Sequence, residues 1–225
     1  MLGGVPLEQF VFVAATPQEQ VAIDVLRPLG VESFPLGVGK VAATAELYSF
    51  LPQLEQRRRV AAVLLYGIAG AYPDRHRNGP APVRPGDVCI VGSDVLADEG
   101  VVTEQGFRSI TKLGFGDVGP FPAAPKLVAE AAARLGVQVV RGATVSTCSG
   151  SEASSSTLVR RHHVDVESME GAAVAYVCRR RELPLLQLRA ISNWTGDRER
   201  GEWNIGAAIT ALERALRRLW APDVG

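Results

Sequence analysis

A chain of 225 residues, 47% of them hydrophobic, is long enough for one large α/β domain with a full core. Its 24 basic and 24 acidic residues cancel, so no whole-chain field draws it to nucleic acid or to an anionic membrane. The three cysteines, Cys89, Cys148 and Cys178, are widely spaced, odd in number and form no metal motif; they read as buried thiols in a reducing compartment.

The first residues lack the positive start of a secretory signal, and the apolar run 60–72 is too short to cross a bilayer. A soluble cytoplasmic protein is the expectation. A first strand is predicted over 10–15. Thr16-Pro17-Gln18-Glu19 then opens a helix: Thr16 can cap it, Pro17 suits the first turn, and Glu19 falls at the capping-box position. A cap by itself accounts for Glu19. Gly37-Val38-Gly39-Lys40 enters the next helix as a tight turn; it lacks the first Gly and the final Ser or Thr of a phosphate loop. A third buried strand over 60–66 ends in Gly67-Ile68-Ala69-Gly70, where glycines let backbone approach a ligand or simply turn.

Arg84-Pro85-Gly86-Asp87 reads as a turn into a strand over 88–91. The Gly-rich, aromatic stretch 100–121 is expected to fold over a bound ligand. Residues 123–135 form an amphipathic helix closed by Gly136, and a strand over 137–147 runs to Cys148-Ser149-Gly150-Ser151. His162 and His163 read as exposed loop residues, and the runs Arg57-Arg58-Arg59 and Arg179-Arg180-Arg181 as solvated helix ends. A helix over 169–181 precedes Pro184 and a nearly continuous apolar strand over 185–191. A polar loop, 194–203, could move over a site, and Asn204 caps a last helix through 219. No internal repeat or linker divides residues 1–225, which read as a single domain.

One unit concentrates chemistry. Glu170 begins a helix; Ser192 and Asn193 end the next strand. In an open α/β sheet ligands bind beyond the carboxyl ends of strands, so this unit sets a carboxylate and an amide on one rim. An acid in a first helical turn also suits the helix dipole without any function.

Glu167-Ser168-Met169-Glu170-Gly171-Ala172-Ala173, followed by Arg189-Ala190-Ile191-Ser192-Asn193, resembles the signature of the purine nucleoside phosphorylase and nucleosidase family. The resemblance extends over nearly the whole chain. It includes the Gly-Val-Gly-Lys turn, the Gly67 to Gly70 segment and Trp203-Asn204-Ile205 after a charged loop. It implies a three-layer αβα sandwich with a central mixed sheet and cleavage of a purine N-glycosidic bond. It implies that Glu170 binds the ribose hydroxyls, that Met169 lies against the sugar, that Asn193 faces the purine, and that Glu19 activates water. Ile68, Ala69, Gly70, Ser168 and Ser192 would line the substrate site. No cofactor or metal is implied; a homo-oligomer, at least a dimer, is.

Family phosphorylases hold phosphate with arginines where this chain has Leu64-Leu65-Tyr66 and Thr16-Pro17-Gln18. A phosphate nucleophile needs such charge-assisted donors, so water is the expected attacking group. Adenine-specific members carry Asp where Asn193 stands. An amide donates to a 6-oxo group and accepts from an N7 proton, which fits hypoxanthine or guanine. An adenine-type nucleosidase, a phosphorylase and a non-catalytic nucleoside-binding homologue remain the alternatives. The family's base-stacking aromatic has no clear counterpart in 149–156.

Overall fold

In a computed structural model the described residues are 1–74, 79–196 and 203–220. Ten strands alternate with six α-helices among them. The strands are β1 (Phe10–Ala14), β2 (Ser33–Pro35), β3 (Ala62–Ala71), β4 (Val88–Leu96), β5 (Gly100–Thr103), β6 (Gly106–Ser109), β7 (Phe121–Pro122), β8 (Gln138–Thr144), β9 (Val166–Ser168) and β10 (Leu185–Trp194). The helices are α1 (Pro17–Gln20), α2 (Lys40–Glu55), α3 (Pro125–Leu135), α4 (Glu152–His162), α5 (Gly171–Arg180) and α6 (Ile205–Trp220).

All strands but the β5–β6 hairpin join one mixed sheet, as the α/β expectation required. β3 pairs in parallel with β1 and β10, and β4 pairs in parallel with β8 but antiparallel with β10. β3 parts from β1 after Leu65 and takes β9 at Gly70 and Ala71. Because β9 also pairs β8, the strands β3, β10, β4, β8 and β9 close a circuit.

Strand periodicity sorts the core into two faces. Val11, Val13, Val63 and Leu65 pack with Ala43 and Leu47 of α2 and Val174 and Val177 of α5. Their neighbours Phe10, Phe12 and Leu64 pack with Leu127 of α3 and Leu212 and Leu216 of α6. Helices therefore cover both faces, and each fully buried Leu or Phe contributes roughly 1.5–3 kcal/mol. Cys89 and Cys178 are buried free thiols; Cys148 is half-buried.

Several local expectations need correction. Gly67 to Gly70 is no turn, because β3 continues through it to Ala71. A Cβ on Gly67 would stand 2.5 Å from Glu19 Oε1 and 2.8 Å from Arg189 Nη1, so this glycine makes room for side chains rather than for a bend. Residues 152–162, to which the sequence reading assigned no helix, form α4, opened by a Ser151–Ser154 capping box. His162 ends that helix half-buried, with Nε2 at 2.9 Å from the Ala97 carbonyl. The arginine runs are not merely solvated. Arg58 donates to the Glu8 and Phe10 carbonyls, and Arg179 lies 4.6 Å over the Phe121 ring while pairing with Asp117.

Candidate active site

A cavity of about 260 Å³ opens where β1, β3, β9 and β10 end. Ile68, Ala69 and Gly70 come to it from β3, and Ser192 and Asn193 from β10. Ser168 arrives on β9, Met169 and Glu170 lead into α5, and Glu19 projects from α1. The nine residues singled out in the sequence thus line one space. Stretch 100–121 contributes no lining residue; its hairpin borders a separate cleft with Arg161 and His162. Of loop 194–203, Trp194, Gly196 and Trp203 line the cavity, while 197–202 lie outside the described residues.

Glu19 is both cap and cavity wall. The Thr16 hydroxyl accepts from the Glu19 N–H at 3.2 Å, and Glu19 Oε2 accepts from the Thr16 N–H and hydroxyl at 2.9 Å each. Its Oε1 accepts from the Ile68 N–H at 2.9 Å. Three bonds fix the carboxylate and a fourth holds the residue's own N–H, so the capping box that explains Glu19 locally is also what aims it.

Glu170 sits at the N-cap of α5 but makes no side-chain cap there. Its Oε1 accepts instead from the Gly39 N–H at 2.9 Å, across 131 residues of chain. Gly39 has φ +93°, a conformation that favours glycine, and it turns that N–H toward the acid. Burial pushes the Glu170 carboxyl above the usual range, while the Arg189 cation and the Gly39 N–H pull it back down.

Arg189 stands out in the sequence only as part of a motif. It is 1% exposed, its Nε has no partner, and its Nη1 and Nη2 make only long contacts, 3.5 Å, to the Ile68 carbonyl and the Ser168 hydroxyl. It serves as a buried positive charge beneath the acids. A lone arginine inside the apolar run Leu-Leu-Gln-Leu-Arg-Ala-Ile was the available signal, since an unpaired charge is almost never buried without a task.

Below the cavity, the start of α5 rests on a second polar group. The Thr144 hydroxyl donates to Asp94 Oδ1 at 2.9 Å and accepts from the Ala172 N–H at 2.7 Å. That satisfies one of the N–H groups a helix start leaves over. Burial pushes Asp94 up to about 7, against the opposing pulls of Thr144 and Arg189. Gly171 must be glycine here: a Cβ would stand 2.1 Å from Asp94 Oδ2 and 2.7 Å from Gln187 Oε1.

Asn193 lines the cavity with a fixed amide. Its Nδ2 donates to the Trp194 carbonyl at 2.8 Å, and its Oδ1 accepts from the Ser192 hydroxyl at 2.8 Å. A carbonyl can only accept, so the nitrogen must face Trp194. One N–H and one lone pair are left for other partners. Glu167, a further buried acid on this wall, belongs to the signature but carries no role in the sequence reading.

A family model, the phosphorylase superfamily, matches residues 31–221. The futalosine hydrolase of Thermus thermophilus is 33% identical over 217 residues, covering 95% of this chain and 92% of that protein. The chain belongs to the phosphorylase superfamily. The futalosine hydrolase of Streptomyces coelicolor is 40% identical over 143 residues, covering 63% of this chain and 60% of that protein. Among solved structures, a futalosine hydrolase mutant of Helicobacter pylori superposes with a TM-score of 0.71 at 19% identity, covering 93% of this chain and 96% of that one. The 5′-methylthioadenosine/S-adenosylhomocysteine nucleosidase of Campylobacter jejuni does so with a TM-score of 0.72 at 19% identity, covering 94% and 96%. These two share the superfamily fold with this chain.

Proposed function

We propose that this protein hydrolyses the N-glycosidic bond of futalosine and releases hypoxanthine, on the futalosine route to menaquinone. The relatives at 33% and 40% identity carry that activity in their names. The observation that carries the reading is the cavity itself. Glu19, Glu170 and Asn193 open on it together, and its described lining residues include no Lys, Arg or His. A phosphate nucleophile would need charge-assisted donors, so the attacking group is water.

In this reading the sugar becomes oxocarbenium-like as the purine departs. Glu19 orients water on the face opposite the base. Glu170 accepts from the ribose hydroxyls and favours the developing positive charge. Met169 lies against the sugar, with Ile68, Ala69, Gly70, Ser168 and Ser192 shaping the space around it. Asn193 donates its remaining N–H to a 6-oxo group, and its oxygen accepts a hydrogen bond from N7–H once N7 is protonated, which selects hypoxanthine over adenine. A mismatched buried edge costs roughly 1–3 kcal/mol, enough for a clear preference. The working unit is a homo-oligomer, at least a dimer, acting in the cytoplasm.

The test is direct. Purified protein is incubated with futalosine, inosine and methylthioadenosine, with and without phosphate, and free base is followed by chromatography. Hypoxanthine released from futalosine without phosphate is the expected result. Release only with phosphate moves the protein to the phosphorylases, and adenine release overturns the role of Asn193.

A further inference from the structure

A departing purine needs a proton, and a carboxamide such as Asn193 cannot supply one. Among the described residues, three carboxyl groups line the cavity. Glu19 and Glu170 serve the water and the sugar. The third, Glu167, stands on β9 between Gly70 of β3 and Ala143 of β8 and is 5% exposed. Its Oε1 accepts from the Ser149 N–H at 2.8 Å. Its Oε2 accepts from two hydroxyls, Tyr72 at 2.8 Å and Ser149 in a short bond. Ser149 also lines the cavity, and its carbonyl accepts from the Gly196 N–H at 3.0 Å. That bond keeps it beside the end of β10, where Asn193 stands.

Resting on the nucleosidase reading, we propose that Ser149 and Glu167 form a proton relay to the leaving purine, with Ser149 Oγ touching the base and Glu167 acting through it. When Glu167 holds its proton the Ser149–Glu167 bond reverses, and Oε2 donates to Ser149 Oγ. The Ser149 hydroxyl proton passes to purine N7, and the C1′–N9 electron pair stays with the base. Water oxygen bonds C1′, and its proton goes to Glu19 and on to solvent. Glu167 is reprotonated from solvent, so one water is consumed and nothing is oxidised. The Tyr72 hydroxyl keeps donating to Oε2 and steadies the carboxylate that remains.

The groups facing Glu167 are Tyr72 after β3, Asp98 after β4, Cys148 and Ser149 after β8, and Glu19 and Glu170 across the cavity. Burial raises the Glu167 carboxyl above its ordinary value and Asp98 adds to this, while the bonds from Ser149 and Tyr72 oppose it. An acid that must be protonated loses function as pH rises through that raised value. The relay therefore supplies the alkaline limb of the kcat/KM profile.

The experiment compares two leaving groups in the wild type, Glu167→Gln and Ser149→Ala. One substrate is futalosine. The other carries the same sugar and tail on 4-nitrophenol, whose anion departs without a proton. Glutamine keeps the shape and the contact to Ser149 but gives up no proton. Both variants are expected to lose on the order of 10²–10⁴-fold in kcat on futalosine. They should stay within about threefold of wild type on the nitrophenyl substrate, and the alkaline limb should vanish in Glu167→Gln. Equal losses on both substrates, or full activity on futalosine, overturn the relay while leaving the hydrolase reading intact. A wild type that releases no base from futalosine overturns the reading itself.

Discussion

Asp94→Asn isolates one buried carboxyl from everything around it. Asp94 is 1% exposed and its carboxyl is pushed up to about 7 from an ordinary 3.8. Below the ordinary value folded and unfolded chains both hold the proton, and burial carries no ionic penalty. As pH rises toward 7 the unfolded chain releases it while the folded one keeps it. Stability then falls by about 1.4 kcal/mol per pH unit. The loss is roughly 2 kcal/mol at pH 5 and levels off on the order of 4 kcal/mol near pH 8. Asparagine carries no charge and escapes this loss. Its oxygen can accept from the Thr144 hydroxyl as Asp94 Oδ1 does. Urea denaturation at both pH values measures the difference between variant and wild type. Asp94→Asn should be the more stable form, with a margin larger at pH 8 by roughly 2–3 kcal/mol. A margin unchanged between the two, or a variant weaker at pH 8, refutes the account of Asp94 as a carboxyl held neutral by burial.

The remaining predictions concern the rim. Glu170→Gln should lower kcat on futalosine by on the order of 10²–10³ with an unchanged far-UV circular dichroism spectrum, and an active variant would remove Glu170 from the mechanism. Because burial raises the Glu170 carboxyl and only the ionised form binds the sugar hydroxyls, wild-type kcat/KM should fall on acidification at a pH above that of an ordinary glutamate; Glu170→Gln should lack that limb. Gly171→Ala drives a methyl to 2.1 Å from Asp94 Oδ2. The overpacking should cost about 3 kcal/mol, a Tm fall of roughly 6–12 °C by calorimetry, and an unmoved Tm would show that the two oxygens yield freely.

Patterns with local causes were legible in the residues alone. The Thr16–Glu19 capping box, the Gly136 helix stop, the Asn204 cap and the apolar strand before Ser192 each depend on neighbours a few positions away. The helix start at Glu170 and the strand end at Asn193 were readable for the same reason, while their roles came from the family resemblance. Helix α4 was missed because serines are weak helix formers, and a capping box plus burial of Leu158 and Val159 overrides that weakness. Tertiary structure alone decided the long-range matters. Sequence spacing cannot say that Gly39 meets Glu170, that Ile68 meets Glu19, or that Ser149 meets Glu167. Nor can it say that Arg189 lies beneath two acids or that stretch 100–121 stays off the cavity. Those outcomes come from the closing of β3, β10, β4, β8 and β9 into one circuit, which gathers distant strand ends in a single space. Electrostatic shifts track burial, and burial belongs to the packed sheet rather than to any segment of it.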